Sequence, residues 1–162
     1  MAMTGYLTLE GKNQGAIEGD CSQKGREKKI LVYSIEHNVE IPRDTHTGLP
    51  TGQRIHHPFM VTKHVDPASP LLYQMCCTGE QTKKWSLDYY HINEKGQEEL
   101  YFQVQLENAI VVQIHHYKPM TFLPDNKPWL DMEDVYFTYE KITWSHKVAN
   151  KEAVDDWKAP KA

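Results

Sequence analysis

Alternation of apolar and polar side chains is the main pattern along this chain, and it predicts short β-strands. Leu7 and Leu9 share one face of residues 6–10, which is the period of a strand. Residues 29–33 and 36–41 are predicted as two further strands. Glycine, proline, asparagine and aspartate recur at short intervals between these segments, so most of them are too short for helices.

The strictest alternation covers residues 100–107 and predicts one face in the core and one in polar contact. Strands are also predicted at 85–92 and from Ile110 to Ile114, with a hairpin turn at 93–96. The alternating apolar and polar side chains are Leu100, Phe102, Val104 and Leu106 against Tyr101, Gln103, Gln105 and Glu107.

The last long strand is predicted over residues 134–146. Partway along it the apolar phase changes, which means that the apolar side chains move from one face of the strand to the other. Such a change indicates a bulge or a strand that bends round a barrel corner. The three prolines in 118–129 predict a loop before it. The polar segment from Val148 to Ala162 is expected to be a loose tail. Within it, Trp157 is the one candidate for docking on the rest of the protein.

One helix is predicted within residues 66–79. Ser69 is a suitable N-cap, Pro70 suits the first turn, and Gly79 suits a left-handed stop. The apolar side of this helix consists of Leu71, Leu72, Met75 and Cys76. The helix is short, so it must be held by packing on a sheet.

About eight strands and one helix indicate the fold class: mainly β, a small antiparallel β-barrel from two sheets with one short α-helix at the side. The 162 residues are expected to form a single domain, 1–162. Between Ile41 and Pro58 the chain has few apolar anchors, which predicts a long projecting arm (residues 41–58) with an exposed tip (residues 43–52). Residues 53–64 become strand-like after Pro58. Long ordered loops in compact domains are usually functional.

The charge balance narrows the class of partner. Lys and Arg number 18 against 22 Asp and Glu, which gives a net charge of -4. General binders of nucleic acid or anionic membranes are normally basic, so neither nucleic acid nor membrane insertion is expected. No apolar run approaches a membrane span. The chain does not open on a basic segment followed by an apolar one, so we expect no cleavable secretory signal.

Catalytic and metal motifs are absent from the sequence, so neither an enzyme nor a cofactor is expected. The three cysteines, Cys21, Cys76 and Cys77, form no CxxC pair and are expected to be reduced thiols. The nine histidines include the adjacent pairs 56–57 and 115–116, whose side chains point to opposite faces of a strand and cannot share one ion. Surface imidazoles are therefore expected.

Three classes of function remain open from the residues themselves. The first is a structural assembly protein, the second a small ligand-binding β-barrel carrier, and the third a hydrolase that uses Cys76 and a histidine. The bulky side chains predicted for the barrel interior argue against the carrier, because they fill a small barrel. A thiol on the buried side of a helix argues against the hydrolase.

Three segments carry a family resemblance: EHNVEIP at 36–42, TGQRIHHPFMVTKHVDPASPLL at 51–72, and EDVYFTYEKITWSH at 133–146. In these segments and in the helix start at Asp66 and Pro70, the chain resembles the haemolysin-coregulated protein (Hcp) family of bacterial type VI secretion. Each motif alone is weak, but three in order across residues 6–146 are specific.

The resemblance implies a tube protein that acts in virulence and bacterial competition. Protomers would form a hexameric ring, and rings would stack into the inner tube inside a contractile sheath, with a spike protein (VgrG) at the tip. The lumen would shelter and chaperone effector proteins. The protein would reside in the bacterial cytoplasm before firing and then be secreted to the medium or a target cell.

Assembly into such a ring requires two different mating surfaces on each protomer. The candidate ring-stacking residues lie in the arm: Arg43, Asp44, Thr45, His46, Thr47, Gly48, Leu49, Pro50, Thr51, Gly52, Gln53 and Arg54. The alternative is a mobile loop without a partner. Strand aromatics are candidates for lateral contacts or for the barrel core: Trp85, Tyr89, Tyr90, Tyr101, Tyr136, Tyr139 and Trp144.

Overall fold

The computed structural model describes residues 1–159, which contain one α-helix, α1 (Ser69–Thr78), and thirteen strands. The strands, in chain order, are β1 (Gly5–Gly11), β2 (Gly15–Ile17), β3 (Ile30–Val32), β4 (Ser34–Glu36), β5 (Val39–Glu40), β6 (Ile55–His56), β7 (Phe59–His64), β8 (Thr82–Ile92), β9 (Glu98–Glu107), β10 (Ile110–Tyr117), β11 (Met132–Thr138), β12 (Lys141–His146) and β13 (Lys151–Asp156). None of the helices in this described part is long and apolar enough to cross a membrane.

Two antiparallel sheets form the body of the molecule. The larger has seven strands in the order β13-β12-β9-β8-β1-β2, with β3 also paired to β1, and the smaller has the order β10-β11-β7-β4. The chain passes between the sheets from β3 to β4 and from β11 to β12, and a bridge joins Gln81 to Ile110. These crossings give the two-sheet β-barrel with one α-helix that the sequence predicts.

The long strand predicted over residues 134–146 is two strands in the structure. β11 ends at Thr138 in the smaller sheet, and β12 begins at Lys141 in the larger one. Of the two expectations for the change of apolar phase, the barrel corner is therefore the right one: the chain passes from one sheet to the other there, and no bulge within one strand is involved.

Aromatic and aliphatic side chains fill the barrel interior. The Trp85 ring meets Phe59 edge-to-face at 5.2 Å and Phe137 at 5.6 Å between ring centroids. Val104 and Leu106 are buried, as their alternation predicts, whereas the earlier members of that series are half-buried. A barrel packed in this way matches the expectation that weighed against a ligand carrier.

The helix is confirmed, but its predicted cap is wrong. Gly79 ends α1 with a φ of 71° and donates its N–H to the Met75 carbonyl, as the sequence predicts. Ser69 lies inside the helix and makes no cap hydrogen bond there. The Asp66 carboxylate instead accepts the N–H of Ala68 at 3.0 Å. Leu72 and Met75 are buried against the barrel.

An ionic cluster lies buried beneath the start of α1. Lys63 on β7 faces Glu133 on β11, and the two side chains form a buried ion pair. The Lys63 ammonium also lies 2.9 Å from Asp66 and donates to Ser69 at 3.0 Å. The adjacent strands and the helix start thus give the buried ammonium several oxygen partners, which offsets the cost of its desolvation.

The segment expected to be a loose tail is largely an ordered strand. β13 pairs antiparallel with β12 along its six residues, from Lys151 opposite His146 to Asp156 opposite Lys141. Its side chains are mostly exposed on both faces, so backbone hydrogen bonds hold it without an apolar pattern. The end of the expected tail, residues 160–162, lies outside the described residues.

Candidate functional site

The arm leaves the barrel as a narrow hairpin. Its base is formed by β5 and β6, which pair with each other over two residues each and belong to neither barrel sheet. Further out, an isolated bridge joins Arg43 to Pro50. The arm is therefore connected to the barrel by little regular secondary structure.

Hydrogen bonds within the tip give it a defined turn. The Asp44 carboxylate accepts the N–H groups of His46 at 2.7 Å and Thr47 at 3.1 Å, and these bonds lower its pKa. The Asp44 carbonyl accepts the N–H of Gly48, which has a φ of 72° that favours glycine. Leu49 at this turn is 64% exposed. The tip thus presents a shaped surface to solvent.

The structure separates the charged residues that were expected to meet the next ring. Asp44 is engaged in its own turn, and Arg54 pairs within the chain instead of facing outward. Among residues 1–159, Arg43 makes no ion pair and is exposed. The stacking role of residues 43–54 stays a prediction. Of the two arginines in this range, Arg43 is the one placed to face a neighbouring ring.

A clamp joins the base of the arm to the C-terminal strand. The Arg54 guanidinium donates from Nε to Asp155 Oδ2 at 2.7 Å and from Nη2 to Oδ1 at 2.9 Å. It also donates to the Asp156 carbonyl at 3.0 Å. His56 Nε2 lies 2.6 Å from Asp155 Oδ2. Arg54 and His56, at the base of the arm, and Asp155, which is 101 positions from Arg54, therefore form one unit, which we call the arm clamp.

Two further side chains extend the arm clamp into the barrel. The Tyr139 hydroxyl lies 2.6 Å from His56 Nδ1 and 2.8 Å from His37 Nε2. Burial raises the pKa of Tyr139 and, with the nearby imidazoles, lowers the pKa of His37 to about 4. Arg54 is the main reason that the pKa of Asp155 is lowered. At neutral pH the unit thus contains an ionised carboxylate, an arginine cation and a neutral His37.

The expectation that the histidines are surface imidazoles is wrong for two of them. His56 and His64 are both buried. His64 lies 2.7 Å from Asp20 and 2.8 Å from the Tyr33 hydroxyl. Polar partners from distant parts of the chain, such as Asp155 for His56 and Asp20 for His64, satisfy the buried imidazoles.

The two ends of the barrel differ. At one end, Asp156 pairs with Lys141 and the arm is attached through the neighbouring Asp155. At the other end, the turn between β12 and β13 lies beside the turn between β8 and β9, and both line one cavity. The molecule therefore has two different ends, with the arm attached at one and two hairpin turns at the other.

Exposed apolar side chains concentrate in the connection between β10 and β11. Phe122 is 90% exposed, an unusual value for a large apolar residue. The other exposed members are Met120, Leu123, Trp129 and Leu130. We call these five residues the apolar patch. Of the strand aromatics that were candidates for lateral contacts or for the barrel core, Trp85 and Tyr139 belong to the core.

The thiols lie in three different environments. Cys21 is buried, Cys76 is half-buried and Cys77 is exposed, and all three are free. Among residues 1–159, no hydrogen bond joins Cys76 to a histidine, and no cluster of three candidate metal ligands is found.

A filled barrel with a shaped arm at one end and turns at the other is the form of a structural assembly protein rather than of a ligand carrier. The family model for "Type VI secretion system effector, Hcp" matches residues 6–146 of the chain. The chain therefore belongs to the Hcp family of the type VI secretion system, as its motifs indicate.

Individual relatives agree with this assignment. The chain is 39% identical to the "Major exported protein" of Pseudomonas aeruginosa, over 100% of this chain and 99% of that protein. A solved "Crystal structure of Hcp protein" has a TM-score of 0.90 at 28% identity, covering 96% of this chain and 98% of the other. The secreted protein Hcp3 from Pseudomonas aeruginosa has a TM-score of 0.79 at 34% identity, covering 98% and 100%.

Proposed function

We propose that this protein is the ring-forming protomer of the inner tube of a type VI secretion machine. Six copies close into a ring, and rings stack head to tail inside a contractile sheath beneath the spike protein. The tube carries and chaperones effectors in its lumen and is expelled on firing. The protein acts by assembly and not by catalysis.

The observation that carries this proposal is that the two ends of the molecule are different. A tube of stacked rings needs one face that mates with a different face of the next ring. The arm and the C-terminal strand lie at one end, and the two hairpin turns lie at the other. Contact between these unlike ends gives a stack that grows in one direction.

The apolar patch supports contact between copies of the protein. A contiguous group of exposed apolar side chains on a soluble protein marks an interaction surface. Trp129 and Leu130, together with Tyr33, also line a cavity of about 330 Å³. Burial of this surface in the ring provides apolar contact area, whereas the polar arm provides weaker contacts between rings.

Export is part of the same proposal. The protein is made in the cytoplasm and leaves the cell by firing of the machine. A relative 39% identical is named "Major exported protein". The family of the chain is itself named for type VI secretion.

Replacement of the tip tests the stacking role of the arm. Residues 45–51 are replaced with a short Gly-Ser linker, which removes the turn and Leu49 but leaves the arm clamp in place. We expect native mass spectrometry to show an intact ring, while electron microscopy shows loss of tubes and immunoblotting shows loss of export. Exposed polar contacts are worth about 0–1 kcal/mol each, so their removal acts only through their sum around the ring.

The matched control is Thr47→Ser, which retains the hydroxyl that accepts the Leu49 N–H at 3.3 Å. It should form tubes and be exported like the parent. If the variant without a tip also forms tubes and is exported at the parental level, the arm has no role in stacking, and the mating surface lies elsewhere.

A further inference from the structure

The backbone hydrogen bonds of the arm do not by themselves fix its orientation relative to the barrel. Its base is a pair of two-residue strands, and an isolated two-stranded hairpin is at best marginally stable in water. A contact surface at the tip is useful to a neighbouring ring only if the arm leaves the barrel in one orientation. Something outside the hairpin must therefore hold its base.

The C-terminal strand has the rigidity for this task. β13 is held to β12 by six residue pairs, and the chain after it is fixed again by two contacts. Trp157 Nε1 donates to the Tyr139 carbonyl at 2.5 Å, and Lys158 donates to Glu140 at 2.5 Å. Asp155 lies between these anchored positions and faces the base of the arm.

The chemistry of the arm clamp suits a fixed orientation better than a loose attachment. Arg54 binds Asp155 through two parallel N–H···O bonds, a geometry that restrains both side chains. The Arg54 and Asp155 side chains are 20% and 23% exposed, and that of His56 is 1% exposed. Partial burial reduces screening by water, so the pair is stronger than an ordinary surface ion pair.

The charges around Asp155 keep it ionised. Arg54, just before β6, and His56, on β6, face it. Tyr139 contacts His56 from the passage between β11 and β12, and His37 contacts Tyr139 from the loop after β4. The Arg54 guanidinium is the largest cause of the lowered pKa of Asp155, and burial opposes it. The carboxylate is therefore charged at neutral pH and throughout mild acid.

We propose that the C-terminal strand is the positioning element of the arm, with Asp155 as its key residue. Through Arg54 and His56, Asp155 holds the arm in the orientation that the next ring receives. This inference rests on the proposed function of the arm in stacking and adds the residue that makes the arm competent for it. Asp155 itself is a positioning residue and does not touch the next ring.

Tryptic cleavage of unstacked rings reports on the arm clamp directly. Trypsin must bind a free arginine side chain, and the arm contains a clamped Arg54 and an exposed Arg43 that serves as the internal standard. We expect Asp155→Asn to raise the rate of cleavage after Arg54, relative to Arg43, by at least about tenfold, because a neutral amide replaces the charged bidentate acceptor. Native mass should remain that of the ring.

The matched control is Asp156→Asn. Among residues 1–159, the carboxylate of Asp156 accepts a hydrogen bond from the Lys158 N–H and none from Arg54, which uses the Asp156 backbone carbonyl instead. The control should keep the parental cleavage ratio and the parental yield of sedimentable tubes. In contrast, Asp155→Asn should lose most of its tubes.

Reversal of the pair distinguishes positioning from general stability. Arg54→Glu and Asp155→Arg should each abolish tubes, and their combination should restore tubes by re-forming the pair in the opposite sense. The proposal is overturned if Asp155→Asn leaves the cleavage ratio unchanged, or if it raises the ratio while tubes form at parental yield. It is also overturned if the reversed pair fails to restore tubes in rings that remain intact. The cleavage ratio is measured on single rings, so a failure of the stacking role itself appears separately, in the variant without a tip.

Discussion

His37 shows how burial of a single residue determines its chemistry. Its ring lies 4.8 Å from Phe59, and its Nε2 lies 2.8 Å from the Tyr139 hydroxyl. Burial is the main cause that lowers its pKa to about 4, and His56 and His57 act in the same direction. Because the usual value is near 6.5, the folded protein keeps His37 neutral where an unfolded chain binds a proton.

This difference predicts a loss of stability in mild acid. Between about pH 6.5 and pH 4 the unfolded state binds more protons at residue 37 than the folded state does, so the free energy of unfolding falls as the pH falls. With allowance for solvent screening, the change is about 1–2 kcal/mol. Urea unfolding at fixed protein concentration should show this loss in the parent and a smaller loss in His37→Gln.

The control for that measurement is His46→Gln, because His46 lies exposed on the tip of the arm. It should keep the acid sensitivity of the parent. Equal losses in the parent and in His37→Gln would show that the acid sensitivity arises at other groups.

At the scale of elements, α1 depends on packing rather than on its own sequence. It is ten residues long, has no side-chain N-cap hydrogen bond, and carries neither acidic residues in its first turn nor basic residues in its last. Helices of this length are unstable in isolation. Leu72 and Met75, which are 1% and 0% exposed, supply the contact that holds it on the barrel.

Leu72→Asp should therefore destabilise the protein by about 3–5 kcal/mol, because it removes buried apolar area and places an unpaired charge in the core. For a domain of this size that corresponds to a drop of about 6–20 °C in Tm. The neighbouring exposed Gln74→Asp is the matched control and should cost under about 1 kcal/mol. Differential scanning calorimetry that gives both variants the same Tm would show that α1 is not held through Leu72.

At the scale of the whole molecule, unlike surfaces lie at different places, as the proposed assembly of copies requires. The arm projects at one end, the hairpin turns lie at the other, and the apolar patch lies on the connection between β10 and β11. A protomer with different mating surfaces forms a closed ring or an open stack, depending on which surfaces meet.

The purified protein should accordingly have a native mass near six times its 18.9 kDa monomer in dilute neutral buffer. Burial of exposed apolar surface favours association, so the ring should persist at micromolar concentration. Phe122→Ser should weaken the ring, whereas Lys127→Ser in the same connection should not. Multi-angle light scattering that shows only monomer for the parent would exclude the ring and the tube built from it.

The sequence by itself determined the elements whose signals are local. The alternation around Val104 and Leu106 and the glycine stop at Gly79 each depend on residues a few positions apart, and the structure agrees with both. The barrel class followed because many short amphipathic strands have few other ways to bury their apolar faces. The family followed from three ordered motifs, and the family match agrees with it.

Only the tertiary structure decided the features that depend on distant partners. β13 has no apolar period, so its order comes from backbone hydrogen bonds to β12, which the sequence does not reveal. Arg54 and Asp155 are 101 positions apart, and Lys63 and Glu133 are 70 apart. A charged residue has the same local signal whether it is solvated or paired, and its burial is favourable only after folding brings the opposite charge to it. For this reason the arm was visible in the sequence, whereas the arm clamp was not.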